Sequence, residues 1–132
     1  MAVKVFWDND EKTIIRAVYE GKLSAEDYYR AIDQVVTMMK SVSHEVHNIY
    51  HREQIRSAPR NILQIMQYAH QRLPNNLGLR IVIGGNQVTR TFVNVGRVIA
   101  PHLTEGTYFV DSVAEAHHLI QKHLAERERA KA

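Results

Sequence analysis

Four residues between positions 52 and 60 have types and spacing that could do chemistry, and that chemistry is anion binding. Arg52, Arg56 and Arg60 recur every four residues, with Ser57 among them. A guanidinium presents a planar fork of donors that suits phosphate or carboxylate. If Ser57 opens a helix, the free first-turn N–H groups and the positive end of the helix dipole favour negative charge at the same place. Two roles are open to Ser57: a cap that accepts a backbone N–H bond, or a phosphorylation or contact site on which Arg56 and Arg60 close. Solvated surface is the commoner setting for arginines and competes with both.

Other residue patterns do less. Gly84-Gly85-Asn86 follows an apolar run as a phosphate loop would, but it lacks both the Gly-x-Gly-x-x-Gly spacing and a Gly-Lys-Ser/Thr ending, so a tight turn explains it. The eight histidines form no His-Glu-x-x-His or Cys/His pattern, and the chain has no cysteine. Asp8, Asp10, Asp27, Asp111 and Glu115 each have a turn or cap to serve, and none pairs by spacing with a nucleophile and a base. No catalytic residue, metal or cofactor is therefore expected. Aromatic and basic residues are not interleaved as in single-strand nucleic-acid binders, so no nucleic-acid partner is expected either.

The chain's net charge is +3, unevenly spread: −2 over residues 1–39, +6 over 40–102 and −1 over 103–132. Seven of the eight central cations are arginines, which again admits an anionic partner. With 132 residues, 45% hydrophobic and 23% charged, the chain fits one globular domain. No apolar run is long enough to span a bilayer. Asp8 interrupts the first apolar run where a signal peptide would need its core, and a cytoplasmic setting is expected.

The elements that must position these residues follow from periodicity and punctuation. Val3–Trp7 and residues 13–19 are β-type runs around a polar turn, a hairpin. Ser24, three residues before Asp27, opens a first helix whose apolar stripe is Tyr28, Ile32, Val35 and Met39. Residues 46–50 predict a third strand, and 52–56 a polar loop. A second helix capped by Ser57 carries Ile62, Met66, Ala69 and Leu73, and Pro74 stops it. Residues 79–83 predict a strand covered on both faces, with Leu79, Ile81 and Ile83 on one side and Val82 on the other. Val88, Phe92, Val95 and Ile99 mark a third helix ended by Pro101. A strand at Thr107–Val110 precedes a last helix with Ser112 and Glu115 as its capping box. From Glu126 the tail is charged and is expected to fray. The sum is one α/β domain over 1–125 with a tail over 126–132. It has a mixed, mostly parallel five-stranded sheet and four helices in the order β-β-α-β-α-β-α-β-α.

This element order, with the strand-loop-helix segment VHNIYHREQIRSAPRNILQIM of residues 46–66, resembles the STAS family, which includes anti-sigma-factor antagonists and the cytoplasmic ends of anion transporters. In signalling members the loop ends in an Asp-Ser-Ser-Gly type motif with a phosphorylated serine. Here Arg56-Ser57-Ala58-Pro59 stands in its place, with Ser57 on a serine position. The resemblance implies a non-enzymatic regulatory or interaction module whose protein partner is a kinase or anti-sigma-like regulator. A subgroup is similar to the CRAL-TRIO lipid-binding fold, which implies the alternative of a carrier or sensor of a small anionic or amphipathic ligand. Adjacent Tyr28 and Tyr29, with Met38 and Met39, widen the apolar face of the first helix beyond what one sheet covers. That extra width would line a pocket or, with an exposed Trp7, form a homodimer surface.

Overall fold

The computed structural model describes residues 3–55, 60–84, 90, 91, 94, 97, 98 and 101–131. Five strands form one sheet in sequential order: β1 (Val3–Trp7), β2 (Ile14–Glu20), β3 (Val46–Gln54), β4 (Leu77–Ile83) and β5 (Thr107–Val110). β1 pairs antiparallel with β2, and the other three pairings are parallel. Among the described residues, the helices with defined bounds are α1 (Ala25–Lys40), α2 (Ile62–Arg72), a short turn α3 (Pro101–Thr104) and α4 (Val113–Lys131). The α/β class and the mixed five-stranded sheet agree with the sequence reading.

Strand alternation sorts the core into two layers. Ile14, Ile49, Leu79, Ile81 and Ile83 face Ala116 and Ile120 of α4. On the opposite face Ile15 and Val46 meet Val35 and Met39 of α1, while Ala17 and Tyr19 meet Tyr28, Ala31 and Ile65 of α1 and α2. β4 divides as expected, with Leu79, Ile81 and Ile83 buried on the α4 side and Val82 buried on the other.

Local chemistry sets the helix ends. Ser24 Oγ accepts from Asp27 N at 3.2 Å, and Asp27 returns a bond to Ser24 N at 2.8 Å, the reciprocal capping box. These bonds to Ser24 hold the Asp27 carboxyl below its usual range. At α4, Ser112 Oγ accepts from Glu115 N, while the Glu115 carboxylate reaches one residue further back, to Asp111 N. Gly84 closes β4 at φ +80°, and a Cβ there would lie 2.9 Å from Glu53 N, so only glycine fits.

Several expectations need correcting. β3 does not end at residue 50, and Arg52, Glu53 and Gln54 continue it, so Arg52 belongs to a strand rather than a polar loop. α2 begins at Ile62 with Asn61 before it, and Asn61 makes no side-chain capping bond. Ser57 and Arg56 lie outside the described residues. So do Val88, Phe92, Val95 and Ile99, although residues 90, 91, 94, 97 and 98 of that segment are helical. Pro101 is itself helical, within Pro101–Thr104, while residues 99 and 100 before it lie outside the described residues. The tail does not fray at Glu126: α4 continues to Lys131, and Arg127 grips both oxygens of Glu45 at 2.7 and 2.8 Å. Trp7 is not an exposed aromatic but packs on the Ile15–Met39 cluster.

His47 interrupts the apolar run of β3, and the structure gives its place a physical reason. The β3–β4 register shifts by one between Val46 and Asn48. At this irregularity the ring of His47, itself 2% exposed, accepts the Leu79 N–H through Nδ1 at 2.9 Å. A buried donor that the ladder leaves over is thus satisfied by a side chain. Gly78 has no Cβ because the His47 ring occupies that space.

Candidate ligand-binding site

The α1/α2 side of the sheet holds a half-open cleft of about 170 Å3. Its walls are apolar, from Ile32 of α1, Ile62, Ile65 and Met66 of α2, Leu73, and Val82 of β4. Its polar lining comes from Tyr19 of β2, Tyr28 of α1, Tyr50 and Arg52 of β3, Arg80 of β4 and Thr107 of β5. Alternation explains why polar groups gather there. Asn48, Tyr50 and Arg52 are two residues apart on β3, and Arg80 is the cross-strand partner of Asn48 and of Thr107. Tyr28 is the inward member of the Tyr28–Tyr29 pair and is buried.

Arg52 is the centre of this arrangement. It is 9% exposed, and its Nη1 donates to Tyr28 Oη at 3.0 Å. Its Cζ lies 5.6 Å from the ring centroids of both Tyr19 and Tyr28, which stack on each other at 5.5 Å. Its Nε and Nη2 are buried with no hydrogen-bond partner among the described residues. Arg80 is similar in part: one terminal nitrogen donates to the Glu105 carbonyl, and its buried Nε has no partner. Among the described residues neither guanidinium pairs with a carboxylate.

The arginines elsewhere show what a satisfied pair looks like. Arg16, on the opposite sheet face, donates to Asp8 at 3.2 Å and to His51 Nε2 at 3.0 Å, and Asp8 also binds His117 at 2.8 Å. His51 Nδ1 in turn meets Glu53 at 3.1 Å. That network closes on itself, whereas the cleft leaves cations uncompensated in an apolar wall, a costly state for a buried charge.

No described lining residue supplies a negative charge to the cleft. Burial pushes the Tyr19 phenol well above its ordinary range, and the lowering pull of Arg52 does not overcome it. Tyr50 is likewise raised by burial, with Arg80 pulling the other way. Both remain neutral phenols, so among the described residues the lining carries the positive charges of Arg52 and Arg80. What this arrangement can do is accept an anion with an apolar body. Among the described residues no group of three or more His, Asp or Glu is placed to hold a metal ion. None of the described helices is long and apolar enough to cross a membrane.

The structure divides the arginine–serine group read from the sequence. Arg52 lies in the cleft, Arg60 is exposed in the turn before α2 and does not line it, and Arg56 and Ser57 are outside the described residues. Tyr19, Tyr50 and Arg80 were missed as site residues. The available signals were Arg80 as the one charge in an apolar strand and the period-two run from Asn48 through Arg52. No protein-family model matches the chain, and no curated protein matches it significantly in sequence.

Proposed function

We propose that this chain is a carrier or sensor of a small anionic, amphipathic ligand, non-enzymatic and built on a STAS-like domain with mostly parallel strands. The observation that carries the reading is Arg52, a nine-tenths buried cation that lines a largely apolar cleft and has two nitrogens without a hydrogen-bond partner among the described residues. A bound anion supplies the missing counter-charge, and the apolar wall takes the rest of the molecule. The volume is of the order of the ~150 Å3 cavity that admits benzene, so the ligand is small.

The interaction-module reading, with a kinase or anti-sigma-like partner, depends on Ser57 and Arg56. Of its residues Arg60 is described, exposed in the turn before α2, and the cleft geometry favours the ligand. Native mass spectrometry tests the proposal on protein incubated with hexanoate, hexyl phosphate and hexanesulfonate. The wild type should carry at least one as a one-to-one adduct that Arg52→Met lacks. Equal retention by both proteins, or retention by neither, overturns it.

A further inference from the structure

We infer that the ligand is a carboxylate, read side-on by the Nε–Nη2 edge of Arg52. The inference rests on the cleft being the ligand site and adds the chemistry of the headgroup.

A guanidinium offers its five N–H groups along distinct edges. In Arg52 the Nη1 corner is engaged by Tyr28 Oη, and the unpartnered atoms are Nε and Nη2. Those two carry the parallel, coplanar N–H pair of the side-on edge, which matches the two oxygens of one carboxylate. The edge is also held in place. Tyr28 fixes the far corner, and the stacked rings of Tyr19 and Tyr28 both lie within 5.6 Å of Cζ. A fork immobilised before binding loses little side-chain freedom when the anion arrives.

The rest of the cleft favours a carboxylate over larger anions. A carboxylate holds its two oxygens in one plane, so the Arg52 fork meets both at once. A tetrahedral phosphate or sulfonate brings a third oxygen out of that plane, and phosphate adds further charge, against walls made of Ile32, Ile65, Met66 and Val82. A volume of about 170 Å3 limits the apolar body to a short chain or a single ring. The chemical class is a small monocarboxylic acid with an unbranched or aromatic tail.

The test is a headgroup series on one tail, measured by isothermal titration calorimetry: hexanoate, hexyl phosphate, hexanesulfonate and hexanol, against wild type and Arg52→Lys. Lysine keeps the charge but replaces the planar fork with a point donor. The inference expects hexanoate to bind at least ten-fold tighter than the other three, and Arg52→Lys to lose at least ten-fold for hexanoate while its thermal midpoint stays near that of the wild type. If the three anions bind alike and all exceed hexanol, or if Arg52→Lys matches the wild type, the carboxylate fork is wrong and the anion cleft stands. If hexanol binds as well as the anions, or nothing binds, both are wrong. Should Arg52→Lys fail to fold, the wild-type headgroup ranking alone decides in the same way.

Discussion

Arg52→Met is the substitution on which a ligand role and a structural role disagree most in sign and size. Methionine fills similar space with a flexible apolar chain. The substitution loses the charged bond to Tyr28 Oη, worth about 1.5–3 kcal/mol, and two ring contacts at roughly 0.5–1 kcal/mol each. It also removes two buried, unpartnered N–H groups that cost about 1–3 kcal/mol apiece. The midpoints of the opposing sums differ by less than about 0.5 kcal/mol, so the ligand-free variant should lie within about 1 kcal/mol of the wild type. In a thermal melt of a domain this size that is a shift of no more than roughly 3–5 °C. A buried arginine serving a structural ion pair would instead cost about 3–5 kcal/mol on truncation. Urea denaturation of ligand-free protein, with m-values checked for constancy, separates the two. A loss above about 3 kcal/mol would refute the reasoning, because Arg52 would then be held by contacts that stabilise the fold.

Three further outcomes follow from the geometry. Burial holds the His47 imidazole below its ordinary value near 6.5, with the Glu45 carboxylate opposing. Its contribution to stability is therefore full above about pH 6.5 and is lost as pH falls through the lowered folded value. Urea midpoints between pH 7 and 5 should fall more steeply for the wild type than for His47→Gln, which keeps an acceptor for Leu79 N–H; coincident acid limbs would contradict this. Asn76 Nδ2 donates to the carbonyls of Met39 at 3.0 Å and His44 at 2.9 Å, tying the end of α1 to the approach to β3. Asn76→Ala should cost about 1–2 kcal/mol in chemical denaturation, and an unchanged midpoint would show that water replaces the tie. Tyr19 and Tyr50, raised by burial, keep the fold's stability below their ordinary value near 10, and it is lost as pH rises above that value. Absorbance at the phenolate band should show some tyrosines titrating only as the protein unfolds.

The fold was legible wherever local chemistry decided it. Val3–Trp7 and Thr107–Val110 are bounded by polar turns, Ser24 and Asp27 announce α1, and the run through Ile83 reads as a buried strand. The site was less legible because three of its partners meet only through the sheet and helices. Arg52 lies 24 residues from Tyr28 in sequence, and their bond needs β3 and α1 in register. The polarity of Arg52, Glu53 and Gln54 outweighed their period-two continuation of β3, although Gln54 still pairs with Glu20. The role of His47 was hidden for a related reason: its ring serves the backbone of β4 at a register shift that no local pattern reveals. The four-residue spacing of Arg52, Arg56 and Arg60 suggested one anion-binding group, but Arg52 is in a strand on the cleft and Arg60 in an exposed turn.

The most direct test of the account is the Nε–H signal of Arg52 in a nitrogen-15 correlation spectrum, assigned by its loss in Arg52→Lys, during titration with hexanoate. The account predicts a saturable downfield shift of that proton and slower exchange with water as the carboxylate takes the free edge. An Arg52 Nε–H signal that stays in place while hexanoate saturates the protein, or that moves equally with hexanol, would contradict it.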